Sequence, residues 1–195
     1  MKVTDTLCFS TVISVFNDFL SEEDNDLVCN EIISADVDGN GSRKWMSAEN
    51  SPDNSFGTNF CIKNKILNQL TQKVKKQIVS YQREVYQSSH PIKLREAWYN
   101  RYTGYQYQEM HQHLPSLLSC VYYAKVPEGA KGLTLINPYV KGDYPKSKLK
   151  ASHTTDTLTL QVKERDFLVF PSYVPHMVAI GTNTEPRITV SFNFD

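Results

Sequence analysis

The chain has 195 residues, 40% of them hydrophobic, with 21 basic side chains against 21 acidic ones. That length suits one domain with a sizeable core, and the even charge balance gives no reason to expect nucleic acid or an anionic membrane as the main partner. Cys8, Cys29, Cys61 and Cys120 form no CxxC pair, no long apolar leader opens the chain and no stretch has membrane-spanning length, which points to a soluble, cytoplasmic protein.

Residues 6–16, TLCFSTVISVF, are rich in β-branched and aromatic types and predict an opening strand. In DFLSEEDNDLVCNEII, Ser21 stands where an N-cap is needed, and Glu22, Glu23 and Asp24 fill the first turn of a short helix. DVDGNGSRKWMSAENSPDNSFGTN reads as polar loop. Its DVDGNG run has oxygen ligands and glycine, but the glutamate that completes a calcium-binding hand is missing, so a plain turn is the reading. From Lys63 to Val85, the residues Ile66, Leu70, Val74, Ile78, Tyr81 and Val85 recur every three or four positions and predict an amphipathic helix bracing the back of a sheet. The opposite face, with Lys65, Gln72, Lys73, Lys75, Lys76 and Arg83, reads as solvated rather than as a membrane or nucleic-acid surface.

After Pro91 the texture changes to short aromatic and β-branched runs separated by glycine, proline or charge: LREAWYNRYTGYQYQEMHQH, LLSCVYYAKV, KGLTLINPY, DTLTLQV, RDFLVFPSYVPHMVAI and RITVSFNF. No helical segments separate them, so an antiparallel barrel or sandwich is expected rather than a parallel α/β sheet. The fold class is mainly β, organised as one unit over 1–195: 1–90 supply a strand and supporting helices, and 91–195 supply the β core. Residues 137–157 make a long, lysine-rich connection and a candidate lid.

Residues two apart on a strand share a face, so Glu109, His111 and His113 are expected to project together. A metal needs a further contact from elsewhere, and His176, His153, Asp143 and Asp166 are the candidates. His176 is favoured because FLVFPSYVP places it just after a strand, at the mouth of a barrel. His111, His113 and His176 suit a borderline divalent ion (zinc, iron, manganese or nickel) with positions left open. The competing reading is two histidines on a wet strand and one in a turn. Arg187 lies eleven residues beyond His176 at the start of RITVSFNF, with Thr189 on the same strand face. Together they would clamp a carboxylate; alone, Arg187 would be an ordinary surface ion-pair partner.

The ordered set HQH, SCVYY, FLVFPSYVPHMV and RITVSFNF resembles the Fe(II)- and 2-oxoglutarate-dependent oxygenases, more narrowly the phage and bacterial members with a prolyl-hydroxylase-like core. WYNRYTGYQYQEMH extends the likeness upstream, so that it spans Trp98–Asp195. The resemblance implies a double-stranded β-helix (jelly roll, cupin-like) with N-terminal supporting helices. It implies His111 as the first iron ligand and His176 as the last, with His113 at the position where the broad family has aspartate or glutamate. Glu109 is the alternative source of a carboxylate. Arg187, with Thr189 beside it, is implied to pair with the distal carboxylate of 2-oxoglutarate, and Tyr123 to add a hydroxyl. Tyr122 is expected to point the opposite way, into core or helix packing. Asn193 and Gln108 are candidate pocket residues, though solvent or backbone partners would account for them equally.

The implied reaction uses molecular oxygen to hydroxylate an unidentified small-molecule or peptidyl substrate, releasing succinate and carbon dioxide. Trp98, Tyr99, Tyr102, Tyr105 and Tyr107 are candidates for an aromatic surface near the entrance, with ordinary sheet packing as the alternative. Rival readings are a cupin-like three-histidine metalloenzyme without 2-oxoglutarate and a non-enzymatic β-barrel binding protein. A homodimer is compatible with each.

Overall fold

The computed structural model describes residues 10–35, 53–54, 58–139 and 156–195. The DVDGNG turn, Cys8, Asp143, His153 and the lysine-rich 141–150 segment lie outside the described residues.

Helix α1 (Glu22–Ser34) starts where Ser21 accepts a hydrogen bond from the Asp24 amide at 3.1 Å. The short α2 (Thr58–Lys63) ends just before α3 (Lys65–Val85), because the Asn64 side-chain oxygen Oδ1 accepts from the Ile66 and Leu67 amides at 3.0 Å each and begins a new helix. Along α3 the buried apolar side chains are Leu67, Leu70, Val74, Ile78 and Tyr81, spaced by three and four. The predicted helix is therefore present, with its phase shifted at the start. Leu67 rather than Ile66 occupies the first core position, and Val85 is 37% exposed where the helix runs out past the sheet. No helix among the described residues is long and apolar enough to cross a membrane.

The strands are β1 (Ser14–Phe16), β2 (Asp53–Asn54), β3 (Leu94–Tyr102), β4 (Gln108–His111), β5 (Leu118–Lys125), β6 (Leu133–Ile136), β7 (Thr157–Thr159), β8 (Phe167–Pro171), β9 (His176–Val178) and β10 (Arg187–Phe194). They form a large sheet in the order β1-β8-β5-β10-β3-β2 and a small one in the order β4-β9-β6-β7. Every pairing is antiparallel. Of the predicted opening strand, residues 10–16 are described, and strand is formed only by Ser14–Phe16, which joins the edge of the large sheet beside β8.

Two apolar layers follow from the alternation of strand side chains. Ile188, Val190, Phe192 and Phe194 of β10 face the helices, in one cluster with Leu67, Val74 and Ile78 of α3 and Val28 and Ile32 of α1. The residues between them on β10, Arg187, Thr189, Ser191 and Asn193, face the other way and line a cavity. Around that cavity the two sheets are joined by a second cluster containing Tyr102, Val121, Tyr123, Leu133, Leu135, Phe170 and Val178. One face of β10 thus anchors the helices while its other face supplies polar groups to the interior.

Candidate metal centre

The small sheet sets the histidines. On β4 and β9, Gln108 stands opposite Val178 and His111 opposite His176, so three steps along β4 match two along β9. That bulge breaks simple alternation. It turns Gln108 and His111 into the cavity together, whereas Glu109, expected on the face of His111, is not among the cavity-lining residues. His113 departs from expectation too, since β4 ends at His111 and His113 lies in the turn beyond it. Its place is held by its backbone: the amide donates to the Ser172 carbonyl at 3.2 Å, and its carbonyl accepts from Ser116 at 2.9 Å. The Trp98 ring packs against it with centroids 5.4 Å apart.

Strand, turn and neighbouring strand bring the three rings together. Ring centroids are separated by 4.8 Å (His111 and His113), 4.2 Å (His111 and His176) and 5.0 Å (His113 and His176). One nitrogen from each comes within 4.8 Å of the others. His111 Nδ1 lies 2.7 Å from the Glu109 carbonyl oxygen and His176 Nδ1 lies 2.9 Å from that of Val174. A carbonyl only accepts, so each Nδ1 carries the proton and each Nε2 keeps a lone pair, the tautomer a metal ligand needs. No hydrogen bond to the His113 ring is found among the described residues.

Burial lowers the pKa of all three imidazoles: that of His113 to about 4 and that of His176 to about 3, with the neighbouring His111 as a second cause in both. In His111 the hydrogen bond to the Glu109 backbone opposes the effect of burial. All three are neutral near pH 7, so three lone pairs converge with no proton on them. Three neutral nitrogens at this spacing fit a borderline divalent ion with positions left open. Asp166, another sequence candidate, is elsewhere: its carboxylate accepts from Asn17 Nδ2 at 2.8 Å and from the Lys163 amide at 2.9 Å, bracing the turn before β8.

In the same cavity, Arg187 is 2% exposed and its Nε and Nη1 have no hydrogen-bond partner. Its guanidinium carbon sits 4.7 Å from the Tyr102 ring centre and 5.3 Å from that of Tyr123. The Tyr123 hydroxyl is likewise buried and unpartnered. Burial raises the pKa of both tyrosines while the adjacent guanidinium opposes it. Asn183 ties this end together, its amide donating to the Tyr102 and Glu185 carbonyls at 3.1 and 2.8 Å. Buried donors without acceptors are costly to a fold and rare. Here they supply the complement of a carboxylate.

The two tyrosines of CVYY diverge as strand geometry requires. The Tyr122 hydroxyl donates to Asn25 Oδ1 at 2.7 Å on the helical side, while Tyr123 faces the inter-sheet side. Opposite effects follow for their phenylalanine variants. Tyr122→Phe strands the buried Asn25 oxygen and should cost about 1–3 kcal/mol of stability in a urea titration, with ligand binding unchanged. Tyr123→Phe removes a hydroxyl the fold does not pair, so it should leave stability level or higher and weaken anion binding.

Of the aromatic residues expected at the entrance, Trp98 and Tyr102 line the cavity, Tyr99 packs against Phe60 on the helical side and Tyr105 is 77% exposed. Sequence reasoning missed a polar chain in which Ser119 Oγ donates to Asn193 Oδ1 at 2.9 Å and meets Ser172 Oγ at 2.8 Å. It also missed the contact of Trp98 with His113. The alternating polar residues of RITVSFNF were the available signal for the first.

Two facing antiparallel sheets around a three-histidine cluster and a buried arginine define a jelly roll with a candidate metal site inside it. Residues 96–193, half of the chain, match the family described as "Putative 2OG-Fe(II) oxygenase", and the chain belongs to that family, whose activity is Fe(II)- and 2-oxoglutarate-dependent oxygenation. No curated protein sequence matches it. Among solved structures it is similar to the non-heme alpha ketoglutarate dependent epimerase SnoN from nogalamycin biosynthesis (TM-score 0.68, 11% identity, covering 93% of this chain and 75% of SnoN). It is similar also to a Pseudomonas putida prolyl-4-hydroxylase (TM-score 0.66, 13% identity, 95% and 92% covered). A third is the viral collagen prolyl hydroxylase of Paramecium Bursaria Chlorella virus-1 in its 2OG complex (TM-score 0.60, 15% identity, 93% and 94% covered). At such identities these likenesses speak for the double-stranded β-helix fold.

Proposed function

We propose that His111, His113 and His176 hold one Fe(II) ion and that Arg187, Thr189 and Tyr123 hold the distal carboxylate of 2-oxoglutarate. The observation that carries this reading is the presence, in one cavity, of three neutral imidazoles with nitrogens within 4.8 Å and a buried guanidinium with two unpartnered N–H groups. When bound, iron and 2-oxoglutarate supply the oxidising power to hydroxylate a C–H bond of the prime substrate, with succinate and carbon dioxide as the other products.

The chain's own residues hold and orient. The Glu109 and Val174 carbonyls fix the ring planes of His111 and His176 through Nδ1, so that Nε2 of each faces the site. Arg187 gives a dicarboxylate its counter-charge in an interior where no described carboxylate pairs with the guanidinium, Thr189 adds a hydroxyl on the same wall, and Tyr123, which is not itself a lining residue, packs its ring against the guanidinium. Val121, Leu133, Phe170 and Val178 line the cavity between these groups and keep bulk water from them. The fold serves a collagen prolyl hydroxylase and an epimerase alike, so selection of a small-molecule or peptidyl substrate falls to side chains such as Trp98 at the His113 end.

A three-histidine enzyme that does not use 2-oxoglutarate would leave the donors of Arg187 without a task, which favours the oxygenase reading. The deciding measurement is succinate release from 2-oxoglutarate by Fe(II)-loaded protein in air, including the slow turnover expected without prime substrate. We expect succinate to form in proportion to bound iron. No succinate and no 2-oxoglutarate binding by the iron-loaded protein would count against the reading.

A further inference from the structure

One more buried polar group in the cavity has no partner within the fold. Gln108 is 6% exposed, lines the cavity, and its Nε2 meets no acceptor. Its position follows from the bulge in β4, without which the residue three before His111 would point away from it. The preceding turn adds definition: Gly104 takes a left-handed φ of 57°, and the Gln106 side-chain oxygen accepts from the Thr103 amide at 2.7 Å.

Sheet register places Gln108 at the arginine end of the cavity. It stands opposite Val178, one pair beyond His111 and His176, and Val178 in turn faces Leu133 on β6. On the large sheet Arg187 pairs with Tyr102 and Thr189 with Tyr123. Tyr102, Tyr123, Leu133 and Val178 pack in a single cluster that joins the two sheets at this level. Gln108 therefore closes from the small sheet the end that Arg187 occupies from the large one.

Four buried atoms around the arginine end of the cavity have a donor role and no acceptor. Gln108 Nε2, Arg187 Nε and Nη1, and the Tyr123 hydroxyl are all hydrogen-bond donors, and an amide N–H and a guanidinium N–H cannot satisfy each other. What they lack in common is an acceptor with several lone pairs and a negative charge. We propose that Gln108 is a positioning residue that donates from Nε2 to the distal carboxylate of 2-oxoglutarate, on the side opposite the Arg187 guanidinium. This rests on the cosubstrate reading given above and extends it to the small sheet. The carboxylate is then gripped from both sheets, which makes recognition depend on the length of the dicarboxylate as well as on its charge.

The test compares 2-oxoglutarate with 2-oxopentanoate, which has the same keto-acid end and no distal carboxylate. Binding is measured by calorimetry without oxygen on Fe(II)-loaded wild type, Q108L and Q108E, and thermal unfolding is recorded on the metal-free proteins. Q108L should bind 2-oxoglutarate roughly 10- to 100-fold more weakly, the usual worth of a hydrogen bond to a charged group, with 2-oxopentanoate affinity and iron content unchanged. Q108E should bind 2-oxoglutarate more weakly still, since it sets one carboxylate against another. Metal-free Q108L should melt at the same or a higher temperature, because it removes an unpaired buried amide. A purely structural glutamine predicts a lower melting temperature with unchanged 2-oxoglutarate affinity, and that result overturns the proposal. An equal loss for both ligands would place Gln108 at the keto-acid end and overturn it as well. Wild type that binds no 2-oxoglutarate removes the cosubstrate reading itself, an outcome distinct from either.

Discussion

His176→Ala should lose the metal while the protein stays folded. Loss of a residue that merely orients a ligand costs 10- to 100-fold in affinity, so loss of one of three ligands should exceed about 100-fold, with succinate formation falling below detection. The cleanest readout is stability. Saturating Fe(II) or Mn(II), without oxygen, should raise the melting temperature of the wild type, by the equivalent of about 2.7 kcal/mol at a hundred times Kd, and should leave His176→Ala unmoved. Asp166→Asn is the control. It weakens two half-buried hydrogen bonds and lowers the melting temperature, yet the metal-induced rise should persist because Asp166 is not in the cluster. A full metal response in His176→Ala would mean that the ion binds elsewhere.

His113 is the informative member of the set. The rings of His111 and His176 are held by backbone carbonyls; that of His113 is held by the turn beneath it and by Trp98. A ligand fixed in this way is easier to exchange. His113→Asp would return the negative charge that the broad family provides, and it should keep metal binding where His113→Ala does not.

Much of this centre could be read in the sequence because strand periodicity is short and strict. Tyr122 and Tyr123 had to diverge, and Arg187, Thr189, Ser191 and Asn193 had to share a face; both relations are seen in the sheet. Helix α3 was legible for the same reason at the longer period, except at its start, where the side chain of Asn64 caps the backbone and resets the phase. The β4 bulge was not legible. It contains no glycine or proline, and its only expression is the pairing of three steps with two on a strand more than sixty residues away. That one irregularity exchanged Glu109 for Gln108 on the cavity wall, and the end of β4 at His111 moved His113 from a strand into a turn. Long-range register, which a local pattern does not encode, accounts for both.

Register also sets where Arg187 sits, opposite Tyr102, and its removal gives the second large effect. At 2% exposure, with no ion pair to a described residue and two nitrogens unpartnered, the guanidinium is a buried charge whose nearest aromatic neighbours are Tyr102 and Tyr123. Such a charge raises the free energy of the folded protein unless a ligand neutralises it. Arg187→Met fills similar volume without charge, so the metal-free variant should be as stable as the wild type or more stable. Its affinity for 2-oxoglutarate should fall by about 3–5 kcal/mol, the cost of breaking a buried ion pair by removing one partner, or roughly a hundredfold to a few thousandfold. Metal content should not change, since the histidines stand on β4, on β9 and in the turn after β4. Arg187→Lys keeps the charge but loses the planar fork, and should recover only part of the affinity. Calorimetry on Fe(II)-loaded protein without oxygen measures all three. If Arg187→Met instead lowers stability and leaves 2-oxoglutarate binding intact, the arginine is a structural residue and the cosubstrate lies elsewhere in the cavity.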